Sequence, residues 1–308
     1  MKRGHSVAVR MRAFGRLPPN VQGAIWMLFG AVLFSIMSLF IKTLGEEMDS
    51  FQIAFMRAFL GLIAILPFAL RRGVGALKTK VPFLHIARSV VGVTGMMCIF
   101  YSITQLPLAD AVALSFTRPL FLILLAVLFL GEVVRWRRWS ATAVGFIGVL
   151  VMVQSSGDLE LASFVALFGA LMVACVSVFL KKLSVTESPP TIMFYFGVIA
   201  SIVSFIPAYF VWRTPTVDEL IILGLLAAIG SGGNFCMIRA LAIGEATAVT
   251  PFDYTRLIFS GILGFLFFAE VPNIWMVVGA GIIVASSLYI IQREAGLGKK
   301  DRHDVPDS

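Results

Sequence analysis

Charged residues are scarce in this chain of 308 residues: only 14% are Asp, Glu, Lys or Arg, against about 25% in ordinary soluble domains. Hydrophobic residues make up 59% and the mean hydropathy is +0.94, so apolar segments must occupy most of the chain. This composition excludes a disordered protein, a DNA-binding module and a typical cytosolic enzyme. It indicates an integral membrane protein.

Motifs for metal binding, nucleotide binding and hydrolysis are absent from the sequence. The three cysteines, Cys98, Cys175 and Cys236, lie inside apolar runs without CxxC or Cys/His spacing, so neither a disulfide framework nor a zinc site is indicated. No GxxxxGK[ST], HExxH or GxSxG segment occurs, which argues against ATP binding by a P-loop and against hydrolysis. We expect no metal, no cofactor and no enzymatic activity.

Ten apolar runs have the length of membrane-spanning helices, since a bilayer core about 30 Å thick needs about 20 mostly apolar residues per helix. These runs, spans one to ten, lie at about 21–41, 51–70, 83–104, 107–130, 139–154, 161–180, 191–212, 218–241, 246–269 and 273–292. The break between spans three and four depends on Gln105-Leu106-Pro107, and a merged pair would leave nine. The predicted fold class is an all-α integral membrane protein.

Basic residues lie almost entirely on one side of the predicted membrane. With a cytoplasmic N-terminus, 19 of the 25 Lys and Arg residues lie in the tails at 1–20 and 293–308 or in cytoplasmic loops, and only Lys42 and Arg213 lie opposite. Because Lys and Arg near span ends are retained in the cytoplasm, we predict a multi-pass inner-membrane protein with both termini cytoplasmic. The net charge of +8 is thereby explained without a nucleic-acid partner.

The chain repeats itself at a nearly constant offset. A shift of 138 residues aligns 117–133 with 255–271 at eight identical positions, among them Arg118 on Arg256. A shift of 139 joins the front ends of the halves, where the Leu-Phe-Gly-Ala of 28–31 recurs at 167–170. Chance matches between apolar helices are common, but one offset across half the chain is not. The chain therefore contains a duplication.

The two predicted halves, 21–154 and 161–292, hold five spans each. Because five is odd, the second half must enter the membrane in the direction opposite to the first. Inverted repeats of this kind are typical of secondary transporters that work by alternating access around a site at the repeat interface. A duplicated scaffold or a membrane-embedded enzyme without transport is the alternative of another class, because one fold hosts many functions.

The end of each half carries a recognisable pattern. It consists of Leu106 to Ala111, Ser115 to Pro119 and Gly131-Glu132 in the first half, and of Ala242 to Ala248, Pro251, Tyr254 and Ala269-Glu270 in the second. This pattern resembles the EamA-type half of the drug/metabolite transporter superfamily. The resemblance implies a ten-helix inner-membrane carrier whose central cavity is lined by spans one, three, four, six, eight and nine. It implies no particular substrate.

Two arginines stand near the middle of predicted spans. Arg118 in span four and Arg256 in span nine are equivalent in the repeat, and a charge at the bilayer centre normally faces a partner or a wet cavity. An arginine fork suits carboxylate or phosphate oxygens, so we interpret the pair as substrate-binding. Alternatively, each arginine caps carbonyls freed by Pro119 and Pro251 or pairs internally.

Asp253 stands three residues before Arg256, a spacing that places both on one helix face. It is a candidate for substrate binding or for proton coupling, and a local ion pair with Arg256 is the alternative. Its repeat partner is Ser115, so the other half supplies no matching carboxylate.

Three further acidic residues lie at predicted span ends. Asp110 is a candidate for coupling or gating and for a substrate contact at the entrance of the cavity, and a helix cap is the alternative. Glu132 and Glu270, equivalent in the repeat, are candidates for structural, coupling or gating roles.

Arg57 in span two has no repeat equivalent, because its counterpart is Phe196. It binds an anionic solute, or it snorkels or pairs with Glu46 or Asp49.

Aromatic residues of the assigned cavity spans offer stacking surfaces for a planar ligand. Tyr101, Phe116 and Tyr254 are these candidates, and ordinary helix packing is the alternative.

The sequence favours a secondary transporter of a small polar metabolite, such as an amino acid, S-adenosylmethionine or riboflavin, in a monomer or homodimer surrounded by lipid. An exporter of drugs or toxic metabolites is the alternative. Spans one and six contain no Asp or Glu, which disfavours antiport of cationic drugs against protons through a single carboxylate.

Overall fold

The computed structural model describes residues 17–70, 78–118, 120–122, 124–125, 136–154, 161–183, 186–187, 189–244 and 250–303. The tail up to residue 16, Glu132 and the residues after 303 lie outside these ranges. Within them the chain is helical and forms no strand. The α-helices are α1 (Pro19–Gly45), α2 (Ser50–Leu70), α3 (Pro82–Gln105), α4 (Leu108–Ser115), α5 (Trp136–Gln154), α6 (Leu161–Leu183), α7 (Pro189–Phe210), α8 (Val217–Ile243), α9 (Thr255–Phe268) and α10 (Ile274–His303).

Local sequence signals set several helix ends. Proline occupies the first helical position of α1 (Pro19) and of α3 (Pro82), where its missing N–H is not needed. The start of α8 has a complete capping box, in which Thr216 and Glu219 each bind the backbone N–H of the other. At the end of α9, Ala269 adopts a left-handed conformation with φ 54°, which turns the chain sharply toward Glu270.

Six helices of the described chain are long and apolar enough to cross a bilayer: α1, α2, α3, α6, α7 and α8. The predicted break at Gln105-Leu106-Pro107 is confirmed, because α3 ends at Gln105 and α4 begins at Leu108. Spans four and nine, in contrast, are not single helices: α4 has only 8 residues and α9 only 14. The count of ten spans stays a prediction. α10 continues to His303, beyond the predicted end at 292.

Helices of the first half pack chiefly against helices of the second. The most extensive pairings are α1 with α8, α3 with α6, α5 with α10 and α2 with α7, and α4 also contacts α9. Small residues allow the closest approaches: a Cβ built on Gly30 of α1 would lie 3.4 Å from the Cys236 Cβ of α8. The main buried cluster includes Ile41, Ile53 and Leu223. The core therefore lies between the halves.

The outer surface is strongly apolar. Large hydrophobic side chains are exposed on several helices, for example Phe83, Leu150, Phe210 and Phe267. A soluble monomer rarely exposes contiguous apolar patches of more than a few hundred Å², whereas in a bilayer such side chains meet lipid. Both the interior and the surface are thus those of a membrane protein.

Candidate functional site

Spans four and nine are interrupted at equivalent positions. α4 ends at Ser115, and the Thr117 hydroxyl donates to the Leu114 carbonyl at 2.8 Å. In the second half, the Thr255 hydroxyl donates to the Phe252 carbonyl at 2.6 Å. The shift of 138 residues relates both donors and both acceptors. Such hydroxyl bonds offer the backbone an alternative to the regular helical pattern, and the same local arrangement accompanies the interruption in both halves.

A short 3₁₀ helix, Thr250–Tyr254, precedes α9. Asp253 lies in this 3₁₀ helix, while Arg256 lies in the first turn of α9. The two residues thus lie in consecutive turns of different helix type. Both line the same cavity.

The interruptions enclose a cavity of about 110 Å³. Its lining residues are Ile99, Ser115, Phe116, Arg118, Ala170, Val173, Asp253, Tyr254 and Arg256. Six of the nine form three repeat-related pairs: Ser115 with Asp253, Phe116 with Tyr254, and Arg118 with Arg256. The cavity thus lies where equivalent parts of the two halves meet, and five predicted site residues line it together.

The polar side of this cavity carries an excess of positive charge. Arg118 repels the Arg256 guanidinium, and Asp253 attracts it. No salt bridge within 4 Å joins these three side chains, since the ion pairs between described residues lie elsewhere. The Arg256 Nε is buried without a hydrogen-bond partner among the described residues, and its guanidinium carbon lies 5.1 Å from the centroid of the Phe34 ring. The arrangement suits a solute with an oxyanion and a cationic group.

The two aromatic residues of the cavity contact each other. The Phe116 and Tyr254 ring centroids are 4.9 Å apart with an interplanar angle of 54°. A planar ligand therefore reaches the face between them only if the rings separate. Tyr101 does not line this cavity: it packs against the main apolar cluster.

Of the acidic candidates at span ends, Asp110 and Glu270 are described, and neither lines the cavity. Asp110 is the third residue of α4 and only 8% exposed, whereas the N-cap position belongs to Pro107. A carboxylate in a first turn is favoured by the helix dipole. Glu132 lies outside the described residues, so its predicted role has no structural counterpart here.

Glu270 joins the two halves at one end of the molecule. Its carboxylate forms a salt bridge with Lys42 of α1 and accepts from the Leu108 backbone N–H, the first of α4, at 2.7 Å. Lys42 also donates to the Leu106 carbonyl at 2.6 Å. We call Lys42, Glu270 and these two backbone groups the inter-half latch. The left-handed backbone conformation of Ala269 places the next residue, Glu270, in this latch.

The sequence prediction missed several residues of the site. Ser115 was identifiable as the repeat partner of Asp253, whereas Ile99, Ala170 and Val173 are apolar and carry no sequence signal. Lys42 had a signal, because it is one of only two basic residues on its side of the predicted membrane. No group of three His, Cys, Asp or Glu side chains in the described chain could hold a metal ion, and the described cysteines are free thiols.

The sequence matches the model of the EamA-like transporter family twice, at residues 21–154 and 160–292. A solved crystal structure aligns with 87% of this chain and 95% of its own chain, at a TM-score of 0.60 and 16% identity. At that identity the alignment shows a shared fold and nothing further.

Three curated relatives are similar over nearly their whole length. The S-adenosylmethionine uptake transporter of Rickettsia prowazekii is 36% identical over 90% of this chain and 95% of its own. The riboflavin transporter of Rhizobium johnstonii is 31% identical over 89% and 92%. The pseudopaline exporter of Pseudomonas aeruginosa is 30% identical over 89% and 97%.

Proposed function

Because the chain belongs to the EamA-like transporter family, we propose that it carries a small polar metabolite across the inner membrane by alternating access between two inverted five-helix repeats. Membership confirms the resemblance drawn from the sequence and the expectation of a transporter instead of an enzyme. It makes the chain a multi-pass membrane protein with a small-molecule substrate. The observation that supports the proposed transport mechanism is the cavity lined by three repeat-related pairs.

The helix pairings support the inverted repeat. If spans one to five correspond to spans six to ten, exchanging the halves turns the α1–α8 pair into the α6–α3 pair. The α2–α7, α4–α9 and α5–α10 pairs are each turned into themselves. All of these pairings occur in the structure, as expected for a pseudo-two-fold axis between the halves.

Close helix contacts repeat in the same way. A Cβ on Gly30 would lie 3.4 Å from the Cys236 Cβ, and a Cβ on Gly169 would lie 3.0 Å from the Cys98 Cβ. Gly30 corresponds to Gly169, and Cys236 corresponds to Cys98. Equivalent packing at both places supports two halves that are able to exchange conformations during transport.

The orientation part of the proposal rests on charge. The latch residue Lys42 belongs to the side that carries few basic residues, so this end faces outward if the positive-inside rule holds. Both termini are then cytoplasmic. The latch closes the outer end, and we assign Glu270 a gating role there.

For the substrate, we propose a zwitterionic solute, and S-adenosylmethionine is the first to test. Arg118 and Arg256 offer donors for a carboxylate, and Asp253 attracts an ammonium or sulfonium group. A relative named for S-adenosylmethionine uptake and another named for riboflavin transport support a solute of this size. Ligand sites usually measure about 300–1,000 Å³, so the cavity of about 110 Å³ must widen to admit it.

Asp253 is also the proposed proton-coupling residue. It lies in the cavity beside Arg256 without a salt bridge shorter than 4 Å to that arginine. Its carboxylate therefore remains available to exchange a proton or a substrate cation as the site changes sides.

The test is uptake of labelled S-adenosylmethionine, riboflavin and amino acids by proteoliposomes. Truncating one partner of a buried charged hydrogen bond costs about 2–5 kcal/mol, so Arg118→Ala or Arg256→Ala should raise KM by about 30-fold or more. Arg239→Ala is the matched control, because Arg239 is an exposed arginine of α8 outside the cavity. Unchanged uptake in well-folded Arg118→Ala and Arg256→Ala would place the site elsewhere.

Export is the second candidate, favoured by the relative named as a pseudopaline exporter. Inside-out membrane vesicles separate the two directions: an exporter fills them, whereas an importer fills right-side-out vesicles. If none of the tested solutes shows saturable flux in either preparation, the result supports the alternative of a scaffold without transport.

A further inference from the structure

Arg57 reaches from α2 into the space between other helices of the bundle. Its Nη1 lies 3.4 Å from the Sδ of Met96 on α3. On α8, a Cβ built on Gly230 would lie 3.3 Å from the Arg57 Nη2 and 3.4 Å from its Nε. The Cβ built on Gly230 would also lie 2.8 Å from the Sδ of Met37 on α1. The guanidinium is therefore framed by α1, α3 and α8.

No carboxylate of the described chain pairs with this guanidinium. The alternative of a salt bridge with Glu46 or Asp49 does not appear, since the ion pairs between described residues involve other side chains. The Arg57 Nε is buried and lacks a hydrogen-bond partner among the described residues. The contact with Met96 supplies only a thioether, which is a weak acceptor. A charge in the membrane interior normally faces a partner or a wet cavity.

Packing does not require an arginine at this position. The repeat equivalent of Arg57 is Phe196, and the equivalent of Gly230 is Gly92. A Cβ on Gly92 would lie 3.1 Å from the Phe196 ring. The same helix crossing is thus filled by an aromatic ring in one half and by a guanidinium in the other. The positive charge of Arg57 is therefore not needed for the packing of this helix crossing.

The surroundings of Arg57 and of the cavity residue Arg256 meet along the contact between α1 and α8. Gly230 and Gly233 are three residues apart on α8, about 4.5 Å along the axis. Gly233 faces Phe34, because a Cβ on it would lie 3.1 Å from that ring. The same ring lies beside Arg256, at 5.1 Å from centroid to guanidinium carbon. The α1–α8 seam therefore connects the surroundings of the two arginines.

We infer that Arg57 forms a second subsite, which binds the carboxylate of the solute on its way to or from the cavity. This inference rests on the proposed transport of a zwitterionic metabolite. A guanidinium presents parallel N–H donors that match both oxygens of a carboxylate. Because the repeat provides Phe196 at the equivalent position, the subsite exists on one side of the cavity only.

The test compares S-adenosylmethionine with its decarboxylated analogue, which lacks only the carboxylate, in binding to the purified full-length protein. Wild-type protein should prefer S-adenosylmethionine. Because Arg118 and Arg256 also bind the carboxylate in the cavity, Arg57→Gln should weaken the binding of S-adenosylmethionine at least tenfold without abolishing the preference, and it should leave the binding of the analogue unchanged. Arg88→Gln, which replaces a buried arginine that packs on Phe196, should keep the wild-type preference. An unchanged preference in Arg57→Gln overturns the inference.

If S-adenosylmethionine is not the substrate, wild-type protein binds neither compound. This result is distinct from the one that overturns the role of Arg57. In that case the comparison is repeated with an amino acid that the protein does bind and with the methyl ester of that amino acid. Melting of the ligand-free protein gives a readout that needs no ligand. Arg57→Gln should melt at or above the wild-type temperature if the guanidinium is unpaired, and a fall of several degrees would show a structural role and overturn the inference.

Discussion

Replacing Glu270 by Gln should open the cavity toward the end of the molecule that the inter-half latch closes. The Glu270 carboxylate holds Lys42 of α1 and the first backbone N–H of α4, while its own chain segment follows α9. The latch therefore ties the second half to the first. A glutamine keeps the size of the side chain and loses the charge, so Lys42 keeps its bond to the Leu106 carbonyl and loses its acidic partner.

The magnitude follows from the burial of the pair. The Lys42 and Glu270 side chains are 13% and 18% exposed, between a surface pair and a fully buried one. Exposed pairs contribute about 0–1 kcal/mol, and breaking a buried pair costs about 3–5 kcal/mol. A loss of about 2 kcal/mol is the intermediate value, and it shifts a two-state equilibrium by about 30-fold.

The assay is thiol labelling at the cavity. Ser115→Cys, in a background with Ala at positions 98, 175 and 236, places one thiol in the cavity lining. A membrane-impermeant sulfonate reagent is added from the outer side, and the labelling rate is compared with and without Glu270→Gln. We expect that rate to rise by about 30-fold.

Glu219→Gln provides the matched control. Glu219 also forms a salt bridge, with Arg213, but both residues belong to the second half, so its loss should leave the labelling rate unchanged. Lys42→Met should act like Glu270→Gln, and the double variant should be no more accessible than either one. If Glu270→Gln lowers the melting temperature but labels at the parental rate, the latch is structural only and the gating role is refuted.

Three further predictions concern packing, stacking and coupling. Gly169→Ala should lower the melting temperature, because its Cβ would lie 3.0 Å from the Cys98 Cβ. A Cβ on Gly61 has no neighbour within 4 Å, so Gly61→Ala should gain up to about 1 kcal/mol of helix propensity. Equal changes in the thermal melts of the two variants would contradict the packing. Tyr254→Ala removes a stacking surface worth about 1 kcal/mol, so it should raise the KM for riboflavin about fivefold in proteoliposome uptake and leave that for an amino acid unchanged. Asp253→Asn should abolish the acceleration of uptake by an inward proton gradient while preserving exchange at equal pH, and acceleration that persists would remove Asp253 from the coupling role.

Much of the candidate site follows from the sequence because the repeat relates distant residues. Arg118 and Arg256 are far apart along the chain, yet one offset identifies them as equivalent, and both line the same cavity. Phe116 and Tyr254 follow from the same offset and do contact each other. Tyr101 has no such support, and it packs in the core instead.

The interruptions of spans four and nine were not predicted. Hydropathy reports whether a segment prefers lipid, and it is insensitive to a local change in backbone hydrogen bonding. The Thr117 and Thr255 hydroxyls each bind a carbonyl three residues back, beside the end of α4 and at the start of α9. Residues at both interruptions line the cavity.

By itself, the sequence determined that this is a helical membrane protein with two related halves, because apolar run length and a constant offset are properties of residue order. The pattern at the end of each half identified it as a transporter. Only the tertiary structure decided which charges have partners. Glu270 reaches Lys42 across 228 residues of chain, and Arg57 meets Gly230 and Met96 instead of an acid. Pairing depends on how helices from different parts of the chain pack, and residue order alone does not contain those distances.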